Sequence, residues 1–162
     1  MISILYPKED FTSADIAIKL QALAQEQSEQ IFIVPKHFGR NEENVYKKLS
    51  ESNTALLLLH DKLALDDATR KEVNFLLKKG ATIYSIAPNE AKSSLNLSKK
   101  KKVSSHYYDR FKSGDFLKTV QDIINHLNMR KEAKSSDNDL GIILLVLALI
   151  ILVIAAFSND KK

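Results

Sequence analysis

The chain has no cysteine and no tryptophan, and only four glycines and three prolines among 162 residues. Without cysteine there is neither a disulfide framework nor a thiolate nucleophile. The four glycines form no cluster, so no glycine-rich loop exists to cradle a phosphate, which argues against Walker-type and dinucleotide-binding Rossmann sites. His37, His106 and His126 stand at no metal-ligand spacing with carboxylates, so no metal is expected. The N-terminus, MISILYPKED, lacks a basic region and a long apolar run, and a signal peptide is not expected. No internal repeat is visible.

What is present is a globular composition, 44% apolar and 27% charged, with a formal net charge of +4. The excess of positive charge is local. Residues 92–134 hold eleven of the 24 basic residues and four of the 20 acidic ones. No nucleic-acid motif accompanies these lysines, so nucleic acid is not an expected partner. A basic zone before an apolar segment suits the anionic face of a cytoplasmic leaflet, although a solvated loop explains Lys99–Lys102 equally simply.

That apolar segment is LGIILLVLALIILVIAAF, residues 140–157, with no charged or polar side chain. As a helix it reaches about 27 Å, close to the hydrocarbon thickness of a bilayer. The reading is a tail anchor, with a buried core helix as the alternative. Basic residues before the span outnumber those after it, which places the N-terminal part in the cytoplasm. Gly141, Ala148 and Ala155 recur every seven residues. They form a small-residue strip that would let two helices approach as a homo-oligomer, unless the spacing is chance. The expected organisation is a cytosolic domain over 1–129, a polar linker over 130–139, a transmembrane helix over 140–157 and a polar tail over 158–162.

Within the domain, short apolar runs alternate with amphipathic stretches. Strands are expected over 2–6, 31–34, 55–59, 82–87 and 103–108, three of them closed by Pro7, Pro35 and Pro88. The unbroken ALLLL at 55–59 is the pattern of a strand buried on both faces. Helices are expected from Thr12 or Ser13, over 43–51, from Asp66 or Asp67 to Lys79, and over 115–128. Residues 89–102 read as a loop. This order predicts an α/β fold, a four- to five-stranded parallel sheet with helices on both faces and ligands at the carboxyl edge.

The sequence resembles a Toll/interleukin-1 receptor (TIR) domain over residues 2–128. The opening ISILYPKED is similar to that family's first strand and loop, with Tyr6 and Asp10 in the matching places. The run from Ser50 to Pro88 is similar to its third strand, following helix and fourth strand, with Ser52, Glu72, Lys79 and Gly80 matching. Flavodoxin-like and nucleoside deoxyribosyltransferase-like domains share the layout. The resemblance implies signalling or immune-type function, association with other TIR-like domains, and in many members cleavage of NAD at the nicotinamide–ribose bond, NAD being a substrate and no cofactor being required. Glu72 would then be the catalytic carboxylate, stabilising an oxocarbenium-like species. Otherwise it is a solvated partner of nearby lysines.

Tyr6 and Phe38 are candidates to stack on a ring of the ligand, Lys8 and Arg40 to meet a pyrophosphate, and His60 and Asp10 to line the cleft. Ordinary packing and solvated charge are the alternatives for each. The segment before Glu72, DDATRK, lacks the tryptophan often found there, and the Arg-Asp and Pro-Gly pairs common around the loop after the second strand are missing. Both departures favour a non-catalytic adaptor or scaffold. A nucleotide-sensing membrane effector is a third reading.

Overall fold

The computed structural model describes residues 1–26, 31–36, 40–97, 100–133 and 138–159. Phe38, Lys99 and the middle of the 130–139 linker lie outside the described residues. Five parallel strands form one sheet: β1 (Ile2–Leu5), β2 (Ile31–Ile33), β3 (Thr54–Leu58), β4 (Thr82–Pro88) and β5 (Val103–Tyr108), in the order β2-β1-β3-β4-β5. Among the described residues, six helices connect and cover them: α1 (Phe11–Glu26), α2 (Glu42–Ser50), α3 (Asp67–Lys79), α4 (Lys92–Leu95), α5 (Asp115–Ala133) and α6 (Asn138–Asn159).

The side chains explain both layers. In β3, successive residues point to opposite faces of the sheet. Leu56 and Leu58 enter a core with Ile16, Ala17 and Leu20 of α1 and Val120, Ile123 and Leu127 of α5. Ala55 and Leu57 enter the opposite core with Val45 and Leu49 of α2, Val73 and Leu76 of α3 and Leu95 of α4. The expected two-sided burial of this strand is what the structure has, with all five of its residues buried.

Helix ends follow local chemistry. Asn41 caps α2 and Asp66 caps α3, each accepting a backbone N–H of the first turn. Gly80 closes α3 at φ 91°, a left-handed conformation that Gly adopts without steric penalty, just after Lys78 and Lys79. The stretch expected to be a loop, 89–102, holds a 3-10 turn at Asn89–Ala91 and the short α4. Ala91, Leu95 and Leu97 bury themselves there, and four residues are too few to display a helical period.

The C-terminal helix differs most from expectation. Rather than standing apart from the domain, α6 packs between the elements of one layer, touching α1, α5 and β1. Ile143, Val146, Leu147, Leu149, Ile150 and Val153 are buried in the same core as Ile4 and Leu56. Burial of apolar side chains favours this packing. Among the described residues no helix is long and apolar enough to cross a membrane. The described side chains of α6 are those of Gly141 and of residues 143–155.

Candidate functional site

The strand order reverses between β1 and β3, and at such a switch point the loops leaving the two strands diverge and open a crevice. Three carboxylates brace those loops. Asp10, 1% exposed, accepts N–H bonds from Ser13 (3.0 Å), His60 (2.8 Å) and Lys62 (3.3 Å), tying the loop after β1 to the loop after β3. Asp61 accepts from the Thr12 amide at 2.7 Å and the Thr12 hydroxyl at 2.9 Å. Asp66 accepts from the Lys8 amide (2.7 Å), the Thr69 amide (3.0 Å) and the Thr69 hydroxyl (2.7 Å). Partial burial pushes the Asp66 carboxyl up, but the hydrogen bonds from Thr69 and Lys8 and the nearby Lys36 charge outweigh it and hold it below its usual value.

Two side-chain clusters sit on this frame. The first is closed. Glu72, on α3, is fully buried, with Oε2 at 2.5 Å from Lys36 Nζ and Oε1 at 2.6 Å from an Arg40 guanidinium nitrogen. Lys36 Nζ also donates to the Thr69 hydroxyl at 2.9 Å, and Arg40 to the Pro35 carbonyl at 3.1 Å. Burial lowers the pKa of Lys36, while Glu72 pulls in the opposite direction. Tyr6 is buried alongside, and its phenol is raised first by burial and then by the charge of Glu72. Its carbonyl lies 3.2 Å from the Thr69 hydroxyl. Glu72 is therefore not the solvated glutamate of the simpler sequence reading, and both of its oxygens are already engaged by cations.

The second cluster is open. His60 follows β3, and its Nδ1 is 2.7 Å from the hydroxyl of Tyr108 at the end of β5. The same hydroxyl lies 3.2 Å from the Leu59 carbonyl. The hydroxyl has one proton: it either donates to the carbonyl and receives Nδ1–H, or donates to Nδ1, and the imidazole tautomer decides which. No described residue is hydrogen-bonded to Nε2. Burial pushes the Tyr108 phenol well above its usual value, and the Asp10 and Asp61 charges add to the rise, so the hydroxyl stays protonated. The imidazole stacks on Tyr108 (centroids 5.6 Å apart) and meets Phe116 of α5 edge-on at 5.7 Å.

Beside His60 lies a cavity of about 640 Å³, walled by Phe11, Thr12 and Ile16 of α1, Phe116 and Leu117 of α5, and Ile154 of α6. The charged residue lining it is Asp15, paired with Lys19 at 3.1 Å. Its walls are mostly apolar, with a few polar groups to fix orientation, as ligand pockets generally are.

Of the residues singled out in the sequence, Tyr6, Arg40 and Glu72 gather in the closed cluster, whereas Asp10 and His60 belong to the cavity side. Lys8 contributes its backbone amide to Asp66 and keeps an exposed side chain. Phe38 lies outside the described residues. Ser52 is buried, 2.6 Å from the Ser3 hydroxyl, as a bridge between strand β1 and the start of β3. Lys36, Tyr108 and Phe116 are not among the site candidates read from the sequence. Lys36 directly after the proline that closes β2 was the one available signal. Among the described residues no group of His, Asp and Glu is placed to hold a metal ion. No family model matches the chain, and no curated protein does.

Proposed function

We propose that this chain is a membrane-anchored, TIR-like signalling protein of immune type. In this reading its α/β domain works as an adaptor or ligand sensor beside His60, and not by cleaving NAD at Glu72. The order β2-β1-β3-β4-β5 is the flavodoxin-like doubly wound order, compatible with that family's layout. The observation that carries the reading is the state of Glu72. Stabilising an oxocarbenium-like species needs a carboxylate oxygen facing the sugar. Glu72 is 0% exposed and has both oxygens taken by Lys36 and Arg40. The anchor reading rests on the eighteen apolar residues 140–157, and self-association on Ala148 and Ala155, which face outward from α6.

The test is NAD loss by the full chain crowded on liposomes, with Glu72→Gln and His60→Ala in parallel. The expected result is no loss from any of the three. NAD consumption by the native chain that Glu72→Gln abolishes at unchanged melting temperature would establish the hydrolase instead. Glu72→Ala is the wrong probe, because removing the carboxylate strands the buried Lys36 and the part-buried Arg40 and reports unfolding.

A further inference from the structure

We infer that α6 has two alternative berths: the trough between α1 and α5 in water, and an anionic lipid bilayer when one is offered. The inference rests on the anchored reading above. A helix that serves only one apolar berth carries a polar outer face. In the same layer, α5 does so, with Lys118, Gln121, Asp122 and Asn125 exposed. In α6 the outward positions are Ala148, Leu152 and Ala155, and Leu152 is 59% exposed.

Docking buries Leu147 and Ile150 with Ile143, Val146, Leu149 and Val153, half-buries Leu144, Leu145, Ile151 and Ile154, and leaves Ala148, Leu152 and Ala155 as an apolar stripe facing water. A bilayer covers every face at once. The apolar run of eighteen residues matches bilayer thickness, a match that filling a trough does not require. Arg130, Lys131 and Lys134 precede it, and Lys161 and Lys162 follow, so basic groups stand at both ends where anionic headgroups lie. The trough keeps the helix out of water until lipid is available.

The native chain lacks cysteine, so single cysteines report cleanly. Leu152→Cys (outward) and Leu147→Cys (inward) are made in a membrane-free translation system. They are reacted with a water-soluble maleimide before and after adding vesicles of phosphatidylcholine and phosphatidylserine at 3:1. In buffer, Leu152→Cys is expected to react at least tenfold faster than Leu147→Cys. With vesicles, the protein floats and the Leu152→Cys rate falls at least tenfold. Leu152→Lys keeps the native melting temperature, because the position is exposed in the docked state, and loses flotation at least tenfold. Unchanged Leu152→Cys reactivity with no flotation would overturn both this inference and the anchored reading. Flotation with equal reactivity, or equal protection, of the two cysteines in buffer would overturn the trough berth and leave the anchor standing.

Discussion

The closed cluster around Glu72 and the open one around His60 lie at the same edge of the sheet, and both are built from buried polar groups on loops that Asp66 and Asp10 brace. They differ in what is left over. Around Glu72 each carboxylate oxygen faces a cation, Lys36 or Arg40, so neither oxygen is left over. Around His60 one imidazole nitrogen is held by Tyr108 while the other has no partner among the described residues, and the ring lines a cavity. A buried carboxylate is thus a poor guide to chemistry when both of its oxygens already face cations. An unengaged nitrogen beside an apolar cavity is a better one.

The largest effect that would break this comparison is loss of the carboxylate. Glu72→Ala should cost about 3–5 kcal/mol by urea denaturation, because Lys36 stays buried and Arg40 part-buried without a counter-charge. A cost under about 0.5 kcal/mol would mean that the cluster opens readily and that Glu72 is available for chemistry after all. On the open side, Tyr108→Phe removes one hydroxyl between His60 and Leu59 and should cost roughly 1 kcal/mol. It should also alter the imidazole's tautomer balance, visible in nitrogen chemical shifts of His60. A shift unchanged by the variant would remove Tyr108 as the group that sets the ring.

How far the sequence disclosed this arrangement depends on the range of each signal. Strand β3 was legible from ALLLL, and α3 from Asp66 at one end and Gly80 at the other, because those signals are local. The pairing of Lys36 with Glu72 joins residues 36 apart, and that of His60 with Tyr108 joins residues 48 apart. No spacing rule reaches across such distances, since the strand order has to be known first. The trough berth of α6 was hidden for a different reason. A helix apolar on all sides has no stripe, so its sequence does not say which face meets α1 and α5.

Acid offers a milder way to sharpen the contrast. The Asp66 carboxyl sits below its ordinary value of 3.8 in the folded chain. The folded state therefore binds fewer protons there than the unfolded one, and the stability it contributes is complete above that value. It should fade as pH falls below 3.8 through the folded value, and Asp66→Asn should flatten that part of the stability profile. A profile that Asp66→Asn leaves unchanged would show that the braces around it carry no charge dependence. The smallest effect belongs to the surface. Lys62 and Glu9 pair at 3.2 Å with side chains 42% and 63% exposed, so Lys62→Ala should shift stability by less than about 0.5 kcal/mol. A larger loss in thermal melts would mean that this pair joins the loop bracing rather than decorating it.

Ile154 belongs to α6 and is also a wall of the cavity beside His60. Any change in the seating of that helix changes the volume next to the imidazole. A small molecule that prefers one shape of the cavity thereby prefers one seating of the helix. The two equilibria then share a coupling free energy that acts equally in both directions. If the helix leaves its trough for lipid as inferred above, titrating such a molecule would shift the partition of the chain between water and vesicles, and adding vesicles would change the molecule's affinity by the same factor.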